Sequence, residues 1–192
     1  MDLVARLADA VVDLRPRHDR LLVGIDGPDA AGKTTLADRL AADLPGPVLR
    51  VSVDDFVTPR EERYRRGELS PEGFYRDLVD VAAFVDACLA GNGATVVAEG
   101  IFLLRPELRD LWTLSVYLRV SEEESLRRAL ERDVGLFGSA EEVERRYRAR
   151  YLPGQALYRG DTDPERRADV LVDNEDVAVP IVLRWGRSDS PH

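Results

Sequence analysis

Four residues separate Gly27 from Gly32 in "GPDAAGKT", and Lys33 and Thr34 stand directly behind the second glycine. Glycines so placed let successive backbone N–H groups turn inward around an anion, because no Cβ obstructs them. A lysine at that point reaches the outer phosphates of a nucleoside triphosphate, and the threonine hydroxyl beside it binds Mg²⁺. The stretch follows the apolar run "LLVGI" and precedes the helix-forming "TLADRLAADL", so a helix N-terminus adds its positive dipole at the same place. The chemistry expected is phosphate binding in a P-loop, with Gly27, Asp29, Ala30, Ala31, Gly32, Lys33, Thr34 and Thr35 as the cradle.

A phosphate cradle serves GTPase switches, ATPase machines and small-molecule kinases alike. The Asn-Lys-x-Asp motif that reads guanine is absent, and the acidic strand ends "VVAEG" at Glu99 rather than in the Asp-Glu pair usual in ATPase motors. A kinase needs a carboxylate near the acceptor hydroxyl and cations over the transferring phosphoryl group. "VSVDDF" supplies Asp54 and Asp55 at a strand end, where open parallel sheets bind their ligands. Adjacent carboxylates after a strand also serve as helix caps or turns, and the residues alone leave both readings open. If they act, successive side chains leaving a strand point apart, so the two aspartates are expected to take different roles. His18 and His192 read as lone surface histidines, and Trp112 and Trp185 as packing or edge-covering residues.

The elements that must hold these groups alternate along the chain. Apolar runs at 21–25, 48–53, 95–98, 114–120 and 169–172 read as strands, and helical patterns span 33–44, 72–90, 121–132 and 141–151. Strands apolar on consecutive positions are buried on both faces. With helical crossovers this gives an α/β fold, a doubly wound, five-stranded parallel sheet with helices on both faces. Leu3, Leu7, Val11 and Leu14 mark an amphipathic N-terminal helix over 1–15, and 185–192 reads as a polar tail. The 192 residues fit a single domain with its core over about 20–175.

A net charge of −9 argues against general affinity for nucleic acid or anionic membranes. Cys88 is the only cysteine, which excludes an internal disulfide or cysteine-rich zinc site and suits a reducing cytoplasm. The N-terminal segment is interrupted by Asp2, Arg6, Asp9 and Asp13 and resembles neither signal peptide nor membrane span.

"GIDGPDAAGKTTLADRL", "VSVDDF", "VVAEGIFLLRPELRDLW", "LRVSEEESLRRALERD" and "ADVLVDNED" occur in the order and spacing of the uridine kinase-like P-loop kinases. That family is related to the phosphoribulokinases and bacterial pantothenate kinases, and the resemblance covers about residues 20–175. It implies ATP and Mg²⁺, with Lys33 and Asp54 in catalysis and Thr34, Asp55 and Glu99 around the metal. It also implies a lid that begins around Arg127, Arg128 and Arg132, with Arg128 and Arg132 acting on the phosphates. "ADVLVDN" would be the last strand, leading to the loop beside the adenine.

The sequence departs from that family on the acceptor side. The segment that holds the base in uridine kinases is reduced to "GNGA", Gly91 to Ala94, Leu69 stands where the family grips ribose with an acidic residue, and "LFGS" replaces the arginine-rich lid stretch. "TPREERYRRGELSPEGFYRD" reads either as a solvated loop or as an acceptor-binding flap using Arg60, Tyr64, Phe74 and Tyr75. "ERRYRARYLPGQALYRG" reads either as an exposed helix with a Glu142–Arg146 pair or as part of the lid, with Arg146 or Arg150 replacing the missing arginines. The function expected is transfer of the γ-phosphoryl of ATP to a hydroxyl of a small molecule. Nucleosides come first among acceptors by resemblance, with uridine itself a poor substrate. Pantothenate-like or sugar-like acceptors are the alternative, and an ATP-binding regulator is the rival from outside the enzymes. The partner is the small-molecule acceptor, and a homodimer is left open.

Overall fold

The computed structural model describes residues 2–186. Six strands form one sheet in the order β2-β3-β1-β4-β5-β6. They are β1 (Leu21–Asp26), β2 (Val48–Ser52), β3 (Thr95–Gly100), β4 (Leu114–Arg119), β5 (Val170–Asp173) and β6 (Ile181–Trp185). The first five run parallel, and β6 joins β5 antiparallel. The expected sheet therefore lacked one strand. β6 lies at an edge with Ile181 and Leu183 exposed, so it never shows the continuous apolar run that marks a strand buried on both faces. Trp185 belongs to this strand rather than to a tail, with the Arg6 guanidinium 4.2 Å over its ring. The rest of the proposed tail, including His192, lies outside the described residues.

Alternate strand residues face two cores. Leu21, Val23 and Ile25 pack with α1 (Leu3–Leu14) and α2 (Lys33–Asp43), while Leu22, Val96 and Ala98 pack with α4 (Pro71–Asp77), α5 (Val81–Leu89) and Trp112. Trp112 is buried and donates its indole N–H to the Leu103 carbonyl at 2.8 Å. Cys88 is buried in the second core, where loss of water pushes its thiol up to about 12.

The helix expected over 72–90 is two helices. Asp80 caps α5 by accepting from the Ala83 N–H at 3.0 Å, and Val79 bridges to Val57 beyond β2. An N-cap residue must leave helical dihedrals, and the chain breaks there. A short helix, α3 (Arg60–Arg63), precedes α4. After β4 come α6 (Glu122–Arg132), α7 (Val134–Phe137), α8 (Ala140–Arg146), a π-helical turn over Tyr147–Tyr151, α9 (Leu152–Thr162) and α10 (Pro164–Arg167). Pro153 cannot donate to a carbonyl four residues back and its ring crowds that turn, which accounts for the widening. Leu126, Ala129, Val143, Tyr147 and Leu152 make a small third core beneath this helical cap.

Candidate active site

β1 sits in the middle of the sheet, between β3 and β4, and delivers the glycine-rich loop to its carboxyl edge. Gly32 holds φ at +91°, a conformation that favours glycine, and a Cβ there would meet the Asn174 amide at 2.9 Å. The loop closes through the Ala31 N–H on the Pro28 carbonyl (3.2 Å), and Lys33 Nζ donates to the same carbonyl at 2.7 Å. An open cleft of 480 Å³ is lined by Ala30, Ala31, Gly32, Lys33, Thr34, Thr35, Arg128, Glu131 and Arg132, within the range of about 300–1,000 Å³ usual for small-molecule sites. Gly27 lies at the root of the loop, its N–H on Asp26 Oδ1 at 2.7 Å. The structure thus brings together the expected cradle residues and both expected lid arginines.

The two arginines are not equivalent. Arg128 spends its donors on Glu124 Oε1 (2.7 Å) and on the carbonyls of Ala30 (3.1 Å), Asn174 (2.9 Å) and Glu175 (2.9 Å). It straps α6 to the P-loop and to the loop after β5, which makes it a positioning residue where a catalytic one was expected. Arg132 pairs with Asp133 at 2.6 Å and keeps its side chain half in solvent on the cavity wall.

Asp29 lies among Lys33, Arg132 and Asp54 and accepts from Gln155 Nε2 at 2.7 Å. Burial raises its pKa, Lys33 and Arg132 oppose that rise, and Asp54 adds to it. Asp54 and Asp55 occupy a 3-10 turn, Val53–Phe56, and both are exposed. The turn, not the strand, sets their directions: at three residues per turn neighbouring side chains diverge by about 120°, so the two aspartates still point to different places. Ser52 Oγ accepts from the Asp54 N–H (3.3 Å) and donates to Glu99 Oε1 (2.8 Å), joining the turn to the end of β3.

The flap is folded, not a loose loop. Ser70 caps α4 by accepting from the Gly73 N–H at 3.1 Å, which puts Phe74 and Tyr75 on its inner face, 4% and 3% exposed. Their rings meet Phe102 at 5.3 and 5.1 Å. Both are core residues, and the expectation that they grip an acceptor is corrected. Arg60 and Tyr64 do stay at the surface, with the guanidinium 5.1 Å over the ring. The Glu142–Arg146 pair forms at 2.6 Å, and Arg146 also reaches Glu68 of the flap at 2.8 Å.

Asp26 was not anticipated. It is buried at the end of β1 and accepts from the N–H groups of Gly27 and Leu104 and from the Tyr158 hydroxyl. Burial pushes its carboxyl up to about 6, against the pull of Tyr158, Gly27 and Lys33. The signal was an acid closing the otherwise apolar "LLVGID". Among the described residues no group of three or more histidine, cysteine, aspartate or glutamate side chains could by itself hold a metal, and no helix is long and apolar enough to cross a membrane. Mg²⁺ at nucleotide sites is held by one or two protein groups together with phosphates. Thr34 and the Glu99–Ser52 pair at this edge fit that pattern.

No family model matches the sequence. Solved structures with the same fold include a possible uridine kinase from Bacillus stearothermophilus, 22% identical, with a TM-score of 0.66 over 88% of this chain and 96% of that one. A protein assigned as a fructose transport system kinase from Silicibacter sp. is 23% identical, with a TM-score of 0.70 over 84% and 96%. D-glycerate 3-kinase from Cryptococcus neoformans is 14% identical, with a TM-score of 0.64 over 95% and 100%. The fold is that of the P-loop NTPases, in the form found in P-loop kinases of small molecules.

Proposed function

We propose that the chain is a kinase that transfers the γ-phosphoryl group of ATP, as its Mg²⁺ complex, to a hydroxyl of a small molecule. The observation that carries this reading is geometric: the glycine-rich loop sets Lys33 and Thr34 around one cavity with Arg132, and the Ser52–Glu99 pair ties the turn bearing Asp54 to the end of β3. Bound Mg²⁺ would supply charge neutralisation at the phosphates. Thr34, Glu99 and Asp55 would hold the metal and its waters, and Lys33, now on the Pro28 carbonyl, would turn to the phosphate oxygens. Asp54 orients the acceptor hydroxyl and takes its proton as the new P–O bond forms and the bond to ADP breaks. Arg132 covers the transferring group from the lid.

A nucleoside acceptor is supported by the sequence resemblance to uridine kinases and by the name of the Bacillus protein. A sugar or hydroxy-acid acceptor is supported by the names of the other two neighbours. ADP release measured over a panel of nucleosides, sugars, polyols and hydroxy acids tests the proposal. Stimulation by one acceptor supports a kinase. Slow hydrolysis indifferent to every acceptor supports a nucleotide-binding regulator instead.

A further inference from the structure

Tyr64 carries three guanidinium groups around its ring, those of Arg60 at 5.1 Å, Arg63 at 5.0 Å and Arg150 at 4.9 Å. Arg150 comes from the π-helical turn of the lid, the other two from α3 of the flap. Arg150 is 1% exposed, and its Nη1 donates to the carbonyls of Glu68 (3.0 Å) and Ser70 (3.1 Å). Arg63 Nε is buried without a hydrogen-bond partner. Among the described residues none of the three forms an ion pair with a carboxylate, while Arg65, Arg66, Arg76 and Arg146 around them all do. The Glu68 carboxylate, whose residue offers its backbone carbonyl to Arg150, is paired with Arg146. A buried guanidinium is normally matched by a carboxylate or phosphate that fits its planar fork. Here like charges crowd one ring and the matching anion is missing from the protein.

The cluster adjoins the site of transfer. Tyr151 follows Arg150 directly, and its hydroxyl is pushed up by burial and then by the charges of Asp29 and Tyr64, against the pull of Arg150. Gln155, five residues beyond Arg150 on the same helical segment, holds Asp29 at 2.7 Å, and that helical spacing corresponds to roughly 7–8 Å of rise. The flap ends the same stretch of chain that begins at Asp54. Gly154 makes the close approach of lid and flap possible, since a Cβ there would come within 2.7 Å of the Phe74 ring.

We infer that the acceptor carries an anionic group, a phosphate or a carboxylate, bound by Arg63 and Arg150 with Arg60 at the rim, over the face of Tyr64. This rests on the kinase reading above and adds the class of acceptor to it.

Two measurements separate the inference from that reading. The first is turnover with matched acceptors: glycerol, D-glycerate and glycerol 3-phosphate, then fructose and fructose 6-phosphate, then uridine and its 5′-monophosphate. Charge-assisted hydrogen bonds to a guanidinium pair favour the anionic member by about 10- to 100-fold in kcat/KM. The carboxylate and phosphate arms identify which anion is used. A neutral member turned over as well as its charged partner overturns the inference and leaves the kinase standing.

The second measurement needs no turnover. Inorganic phosphate is titrated by calorimetry into protein saturated with Mg²⁺ and the non-hydrolysable analogue AMPPNP, so that the P-loop is already filled. Wild type is expected to bind phosphate, and Arg63→Gln to bind it at least about 10-fold more weakly with unchanged AMPPNP affinity and melting temperature. Arg63 makes none of the backbone contacts by which Arg150 joins lid to flap, so this variant tests anion binding apart from folding. No phosphate binding by the nucleotide-loaded protein, or equal binding by Arg63→Gln, overturns the inference. Phosphate binding without turnover of any acceptor supports the subsite and overturns the kinase reading.

Discussion

The nucleotide half and the acceptor half of this site are built in different ways. The nucleotide half is one short segment, Gly27 to Thr35, whose backbone donors need only two glycines, a lysine and a helix behind them. On the proposed reading, the acceptor half is assembled from Asp54, the flap at 60–77 and the π-helical turn at 147–151. No stretch of it has meaning alone: Arg150 matters because the fold sets it over Tyr64, more than eighty residues earlier in the chain. The contrast teaches that phosphate chemistry can be held by one local motif, while the proposed acceptor side needs parts that meet only in three dimensions.

The sharpest way to break this division is at Asp54, where the halves meet. Asp54→Asn is expected to keep Mg·ATP affinity and lower phosphoryl transfer by about 10²–10⁴. Loss of nucleotide binding by calorimetry would move Asp54 to the nucleotide half. Asp55→Asn is expected to raise the Mg²⁺ concentration for half activity instead. Next comes Lys33→Ala, which removes the preorganised cation of the cradle and is expected to cost about 10²–10³ in rate with the fold intact. Near-normal turnover by the folded variant would end the P-loop assignment.

What was legible follows the same line. Five strands, the cradle and the strand-end acids were readable because continuous apolar runs and glycine spacing are local signals. β6 was missed because half its residues face solvent, and the break at Leu78–Asp80 because a single capping aspartate interrupts an otherwise helical pattern. Phe74 and Tyr75 stand in a charged stretch that in sequence looks like exposed chain. The Ser70 cap turns them into the core. Arg128 was read as catalytic because its charge is visible in the sequence, while the carbonyls that consume its donors are not.

A smaller effect concerns Asp26, beneath both halves. Its folded pKa, about 6, lies above the ordinary value of 3.8. Between these values the folded state binds more protons than the unfolded one, so this group's contribution to stability falls as pH rises from about 4 to 6. A shift of that size corresponds to about 3 kcal/mol at neutral pH. Tyr158→Phe removes the hydroxyl donor that favours the carboxylate and should raise the folded pKa further. The variant is expected to lose about 1–3 kcal/mol at pH 7 and less at pH 4, where the carboxyl is largely protonated in the folded state. Equal losses at both pH values, by chemical denaturation, would show that Tyr158 acts only by packing.

The smallest effects are the most discriminating, because they come as a matched pair of serines. Ser125 is buried on α6 and donates to the Asp29 carbonyl at 2.7 Å, holding the P-loop from the lid side. Ser70 caps α4 and offers its own carbonyl to Arg150 at 3.1 Å, holding the flap to the lid. Each loses about 1 kcal/mol of stability on change to alanine, one as a hydrogen bond and the other as an N-cap. Their kinetic effects should part. Ser125→Ala loosens the cradle and is expected to raise KM for ATP a few-fold with the acceptor KM unchanged. Ser70→Ala loosens the support under Arg150 and should raise the acceptor KM a few-fold with that for ATP unchanged. Initial rates with each substrate varied at saturation of the other measure both. If either variant moved both KM values equally, the two halves would be one mechanical unit and the division drawn from their construction would fail.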